Sequence, residues 1–296
     1  REKYRQFMKE YLSLFDLDLD VESLYHLEEK LAEYMYTRVE RRDPQKQNNP
    51  TNLAEFEQNY PNINLRLLFE TLNVSSGKIN VNNPNFYQFF NKLWNELSLD
   101  TWKSFLKWKL VLSLGNYLTD SVEESLFNFY VKFLSGTPKM KPLWKRVLAN
   151  VNDKLGMVVG RKFVKKYFPE EAKHKSLEMV SYIKNELKNR LENNNWMDAK
   201  TKEHGLIKLD KMNVKIGYPN KWRDFSSVDI SYNNTYLHNN LEGDRFEVEY
   251  NFGELYKKKD KNKWMMNPHT VNAYYSPMFN EIVFPKKYLE DEFNVP

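Results

Sequence analysis

The chain has 296 residues, 41% of them hydrophobic and 15% aromatic, enough to bury a sizeable core and, by length, to make about two domains. Its 45 basic and 40 acidic residues are spread over the whole length and leave a net charge of +5, too even a distribution for a dedicated nucleic-acid binder; the absence of cysteine excludes disulfides and thiolate metal sites. No run approaches the roughly 20 apolar residues of a membrane span, and Arg1-Glu2-Lys3-Tyr4-Arg5 lacks a signal peptide's apolar core, so a soluble protein is expected, one whose opening Arg suggests a processed product or a fragment.

From Val21 to Arg38, Leu24, Leu27, Leu31 and Tyr34 recur at helical spacing with Glu22 in the first turn, predicting a helix with one buried face. His26 falls off that stripe and reads as a solvated side chain. Glu40-Arg41-Arg42-Asp43-Pro44 and the Gln/Asn-rich stretch to Asn52 have turn composition and end the helix. Leu53 to Leu72 reads as one or two short helices interrupted at Pro61, and Ile79 to Val81 as a short apolar segment. Sequons at Asn73 and Asn233 would permit glycosylation of a secreted chain. Phe86, Phe89, Phe90 and Trp94, then Trp102, Phe105, Leu106 and Trp108, form aromatic helical stripes of the kind that fill cores. Ser121-Val122-Glu123-Glu124 fits a capping box opening a helix that continues through Leu126, Phe129, Tyr130 and Phe133, until Gly136, Pro138 and Pro142 end it.

A further helical block begins at Trp144-Lys145-Arg146-Val147 and is ended by the run from Gly160 to Pro169. Val180, Ile183, Leu187 and Leu191 share one face of an amphipathic helix over Met179 to Leu191. Asp198 is a credible N-cap for a helix through Leu206 and Leu209, and Ile216-Gly217-Tyr218-Pro219 supplies the turn that breaks it. The lysine run from Lys257 to Lys263 reads as a solvated loop. Two runs rich in β-branched and aromatic residues, Val271 to Ser276 and Asn280 to Phe284, then flank a turn at Pro277 and predict a pair of strands. An exposed edge strand with an Asn beside it can align an extended peptide; the same pattern also suits a buried hairpin, and the residues alone leave both open.

The segment Val271-Asn272-Ala273-Tyr274-Tyr275-Ser276-Pro277 followed by Asn280-Glu281-Ile282-Val283-Phe284-Pro285 resembles the substrate strand of the neprilysin family of zinc metallopeptidases. In that family an Asn-Ala-(Tyr/Phe) segment holds the bound peptide antiparallel beside the metal. Trp144-Lys145-Arg146, Gly160-Arg161-Lys162-Phe163-Val164, Trp196-Met197-Asp198, Ile216-Gly217-Tyr218-Pro219 and the run from Trp264 to Thr270 are similar to other motifs of the family. The resemblance implies a mainly α fold, a multi-helix domain capping a cleft, with a short strand pair near the C-terminus that belongs to a thermolysin-like catalytic domain. Residues 1–263 would form the helical region and 264–296 the substrate-strand segment.

By the same resemblance, Asn272 and Ala273 would bond the peptide backbone, Tyr274 would complete the strand, and Tyr288 and Phe293 would help form the pocket for the residue after the scissile bond. Pro285 to Glu292 replaces a family run that is small, apolar and Pro-rich. The complete family enzyme uses Zn2+ bound by HExxH on a helix and a later Glu. None of that is in this sequence: His26, His174, His204, His238 and His269 include no pair four residues apart. His269, alone in the run before the strand, reads as incidental rather than catalytic. The chain is therefore expected to be inactive alone, its zinc-bearing partner segment lying beyond Pro296 on the same or an associated chain. Val147 stands where animal members carry a cysteine, which favours the microbial branch. Two readings follow: a portion of a zinc endopeptidase acting on peptides, or a non-catalytic binding or structural module that has lost the zinc site.

Overall fold

A computed structural model of the chain describes residues 1–75, 77–287 and 289. Two compact units divide it, the first comprising Arg1–Met140 with Ser231–Leu241, the second Lys141–Ile230 with Glu242–Pro296. Among the described residues no helix is long and apolar enough to cross a membrane.

In the first unit the order is α1 (Glu2–Ser13), α2 (Val21–Glu33), β1 (Pro50–Asn52), α3 (Leu53–Asn59), α4 (Leu65–Thr71), β2 (Lys78–Asn80), α5 (Pro84–Glu96), α6 (Leu99–Leu114) and α7 (Asp120–Leu126). Phe7, Met8, Tyr11 and Leu12 form the buried face of α1 and meet Val21, Leu24 and Tyr25 of α2, Trp108 of α6, and Val122 and Leu126 of α7. Each such fully buried large apolar side chain contributes about 1.5–3 kcal/mol. Helix α2 starts where Asp20 accepts the N–H groups of Glu22 and Ser23. It stops at Glu33, short of the expected Arg38; the cap residue Tyr34 stacks its ring on Phe89 at 3.7 Å, and its carbonyl accepts from Asn83 Nδ2 at 3.0 Å rather than from a further turn of helix. Glu28 anchors this core, accepting from Tyr4 Oη at 2.6 Å, Trp108 Nε1 at 3.1 Å and Lys109 Nζ at 2.6 Å. Burial, reinforced by Glu28, raises the Tyr4 phenol far above its ordinary range.

The helix expected from Ser121 differs in two respects. Its N-cap is Thr119, whose hydroxyl lies 3.0 Å from Ser121 Oγ and makes no cap bond to the backbone. After Leu126 the chain widens into a π-helical stretch, Phe127–Phe133. There Phe129 stacks on Phe7 at 4.4 Å and Tyr130 meets the same ring edge-on at 5.4 Å, and the wider turn presents both rings to one partner.

The second unit holds α8 (Leu143–Tyr167), α9 (Glu170–Asn193), α10 (Ala199–Asp210), β3 (Asn213–Gly217), α11 (Tyr236–Gly253, which begins in the first unit), β4 (Tyr274–Ser276) and β5 (Glu281–Pro285). Asp198 caps α10 as expected, accepting from Thr201 N at 2.7 Å. The segment after α10 is not only a turn: Asn213–Gly217 forms a strand parallel to β5, in a sheet of order β3-β5-β4. Gly217, at φ +75°, ends that strand where any Cβ would collide with the Phe168 ring. Val164, Phe168, Ala172, Val180 and Ile216 make the core between α8, α9 and the sheet.

Candidate functional site

The β4–β5 pair is an antiparallel hairpin in which Tyr274 faces Val283, Tyr275 faces Ile282 and Ser276 faces Glu281. Asn280 closes its loop at φ +47°, a left-handed conformation that Asn tolerates better than most residues. Its Oδ1 accepts from Tyr275 Oη at 3.1 Å, its Nδ2 donates to the Lys208 carbonyl at 2.8 Å, and its own carbonyl accepts from Asn213 N at 2.9 Å. Asn280 therefore belongs to the turn, and β5 begins one residue later than expected. Strand β5 is central; β4 lies at an edge, with no strand on its outer side among the described residues. An edge of this kind presents backbone N–H and C=O groups to an incoming strand.

Of the residues expected to meet a peptide, Asn272, Ala273 and Tyr274 lie consecutively at the start of this edge, whereas Tyr288 and Phe293 fall outside the described residues. The ladder begins at Tyr274; just before it, the exposed Asn272 turns its Oδ1 back onto Ala273 N at 2.8 Å. The Nδ2 donors of Asn272 have no partner among the described residues.

Beneath the edge lies a buried polar network. Lys215 on β3 and Glu281 on β5 pair at 2.6 Å with side chains 5% and 1% exposed. The Lys215 ammonium also donates to the Lys263 carbonyl at 2.7 Å. Glu281 Oε1 accepts from Tyr274 Oη at 3.3 Å, and that hydroxyl in turn accepts from Met265 N at 3.4 Å. Burial first, and the neighbouring carboxylate second, push the Tyr274 phenol up to about 12, so it remains protonated and donates to Glu281 at neutral pH. The alternating pattern of β3 brings Lys215 to the face occupied by Glu281 and Tyr274.

The run leading to β4 is fixed by α8. Gly156 and Gly160 stand one helical turn apart and leave a notch that Asn267 and Pro268 fill; a Cβ on Gly160 would fall 2.7 Å from Pro268 Cδ. Asn267 Nδ2 donates to the Asn152 carbonyl at 3.1 Å, and His269 Nε2 lies 2.9 Å from Asn152 Oδ1. Helix α8 kinks at Leu155, inside the turn whose carbonyl is engaged this way. Burial lowers the His269 pKa, and its ring packs beside Phe163, which makes this histidine an anchor of the strand approach.

A cavity of about 860 Å³ opens beside the same run, lined by Lys154, Arg223, Glu247, Tyr250, Trp264 and Asn267 among others. Two of its cations are paired within the wall: Lys154 with Asp244, and Arg223, which donates to Glu247 at 2.7 Å while stacking 3.6 Å from the Tyr250 ring. The donor set does not suit zinc, because the sequence has no cysteine and no three His, Asp or Glu residues converge among the described residues. Lys215, Glu281, Asn280 and the Gly156–Gly160 notch were not singled out from sequence. Glu281 and Asn280 stand within the strand motif itself, but the parallel partner that gives Glu281 its ion pair, Lys215, is 66 residues away.

Residues 1–219 match the family model of peptidase family M13. The chain belongs to peptidase family M13. Its M13 relatives include endothelin-converting enzyme-like 1 of Mus musculus, 28% identical over 97% of this chain and 39% of that protein. Neutral endopeptidase of Lactobacillus helveticus is 27% identical over 92% of this chain and 42% of that protein. The chain thus spans about two fifths of the length of these relatives. Among solved M13 structures, zinc metalloprotease ZMP1 of Mycobacterium tuberculosis in its open state superposes with TM-score 0.88 at 28% identity, over 98% of this chain and 46% of that one. PepO of Lactobacillus rhamnosis gives TM-score 0.88 at 26% identity, over 97% and 47%. The neprilysin-type resemblance and the mainly helical fold both stand. The M13 family match ends at residue 219, so the edge strand lies in the part of the chain covered by the longer pairwise similarities.

Proposed function

We propose that this chain supplies the helical region, residues 1–263, and the substrate-aligning segment, residues 264–296, of a neprilysin-like zinc metalloendopeptidase that hydrolyses peptide bonds in oligopeptides. The observation that carries the reading is the outer edge of β4, which no strand covers among the described residues and which Asn272 and Ala273 precede, in a chain of family M13. An extended peptide adding to that edge gains backbone hydrogen bonds, with the Asn272 amide turning from Ala273 N to the peptide and the Ala273 backbone joining the ladder. Tyr274, held from below by Glu281, keeps the edge in place while the peptide is bound.

Zinc, when bound in the complete enzyme, supplies a Lewis acid for the scissile carbonyl and an activated water. Its ligands are assigned here to a segment beyond Pro296, on the same or an associated chain, and the 296 residues alone are assigned no hydrolytic activity. A second reading, a binding module without zinc chemistry, draws on one departure: Lys286 and Lys287 follow the strand where the resemblance implies small apolar residues.

Intact mass of the native polypeptide, with peptide sequencing across Pro296, separates the two. A mass well above the 35.7 kDa of this chain, with HExxH in the continuation, zinc in stoichiometric amount and cleavage of an oligopeptide, is the expected result. A native chain ending near Pro296 that copurifies with no zinc-bearing partner would leave only the binding module.

A further inference from the structure

We propose that the end of the sheet at the β4–β5 tip is a recognition surface for acidic residues of an extended peptide. The strand register defines that end. Asn213, the first residue of β3, and Ser276, the last of β4, both pair with Glu281 at the start of β5. The residues just ahead of β3 and the tip from Pro277 to Asn280 therefore share one end of the sheet.

Lysines converge there from two elements. At the end of α10, Lys208 holds its Nζ 5.7 Å from the centroid of the Tyr275 ring while its carbonyl accepts from Asn280, and the exposed Lys211 follows. The lysine run arrives from elsewhere in the chain. Its side chains are largely exposed, as a solvated loop requires, but its backbone is laced to β3: Asn213 Nδ2 donates to the Lys261 carbonyl at 3.0 Å and Lys215 Nζ to the Lys263 carbonyl at 2.7 Å. Within that run Lys259 Nζ lies 3.8 Å from the centroid of the Phe279 ring in the tip. Opposing charge at this end is smaller. Asp210 and Asp260 are exposed, Glu281 is buried against Lys215, and Glu254 pairs with Lys257 at 2.9 Å.

An ammonium resting on an aromatic face is positioned without using its N–H donors, which stay available to a carboxylate. Exposed like charges gathered in this way attract the opposite charge over a Debye length of about 8–10 Å. A peptide along the outer edge of β4 brings one of its ends to this cluster. The inference rests on β4 accepting a peptide, as proposed above, and adds the chemistry of the ligand: carboxylate side chains at the end beside the tip.

The test is fluorescence anisotropy of labelled extended peptides on the full native polypeptide, comparing a neutral peptide with versions carrying a Glu pair at one end or the other. One of the two acidic peptides is expected to bind about fivefold tighter than the neutral one in low salt. That preference should shrink as salt rises, and should fall further in the Lys208→Glu/Lys259→Glu double variant. The end that responds reports the direction of the bound peptide. Equal affinities for all three peptides overturn the acidic preference and leave the edge-strand reading in place, whereas loss of binding by the neutral and acidic peptides alike overturns both. The salt series on the unaltered protein decides the matter without the variants: a preference indifferent to ionic strength is not electrostatic.

Discussion

Lys215 and Glu281 form an ion pair at 2.6 Å on adjacent parallel strands, with both side chains almost wholly out of water. Removing one partner strands a charge in the interior, which typically costs about 3–5 kcal/mol, whereas replacing both by apolar residues of similar size costs far less. Lys215→Met and Glu281→Leu are each expected to lower the unfolding midpoint strongly in denaturant titrations, and the double variant to recover most of the loss. Single variants as stable as the parent would show that the pair is not desolvated in solution.

Tyr274 gives a stability term with a defined sign. Its folded pKa is raised from 10.0 to about 12. Between those values the unfolded chain has lost the phenolic proton that the folded chain retains, so stability falls as pH rises. The contribution is complete below pH 10, declines across the interval and is gone above about 12. Comparing alkaline unfolding of the parent with Tyr274→Phe should show a smaller loss in the variant over this window; identical curves would place the hydroxyl in water.

Gly160 meets Pro268 so closely that a methyl group requires movement of the strand approach. Gly160→Ala is expected to destabilise by about 1–3 kcal/mol despite the better helix propensity of Ala. Gly253, with nothing within 4 Å of a Cβ, is the control, and Gly253→Ala should change thermal stability by less than about 1 kcal/mol. A neutral Gly160→Ala would mean that the notch is looser than it looks.

Asn280 combines a left-handed backbone with two side-chain hydrogen bonds. Asn280→Gly keeps the conformation and loses the bonds; Asn280→Ala loses both and is expected to be the worse by about 1 kcal/mol in thermal melts. The reverse ranking would shift the weight from the backbone to the amide.

Asn272→Ala removes an amide that the proposed function turns toward the peptide backbone. Peptide affinity should fall about three- to tenfold, the effect of one or two lost hydrogen bonds, with little change in melting temperature because Asn272 is exposed. An unchanged dissociation constant would remove Asn272 from the binding surface.

How far this fold could be read from residues differs by element. Leu24, Leu27 and Leu31 announce α2, Asp198 marks the start of α10, and the hydrophobic runs around Pro277 mark the hairpin, because each signal is local in sequence. Helix α1 carries a comparable stripe in Phe7, Met8, Tyr11 and Leu12 yet stands outside the expected elements, and α11 has charges distributed around its whole circumference. Strand β3 was hidden by its central lysine, a residue that suits a buried strand only when a glutamate waits on the neighbour. Within the site, Asn272, Ala273 and Tyr274 were legible as a motif. The network that fixes Tyr274 depends on the pairing of distant strands, which no single stretch of sequence displays.

The glycine notch of α8 has a mechanical meaning. With Asn267 and Pro268 keyed between two turns of the helix and Asn152 gripping both Asn267 and His269, α8 cannot slide or roll without hauling the edge strand along. The bend at Leu155 lies inside that grip. A force that straightens α8 would therefore be delivered, as through a clutch, to the strand proposed to carry the peptide.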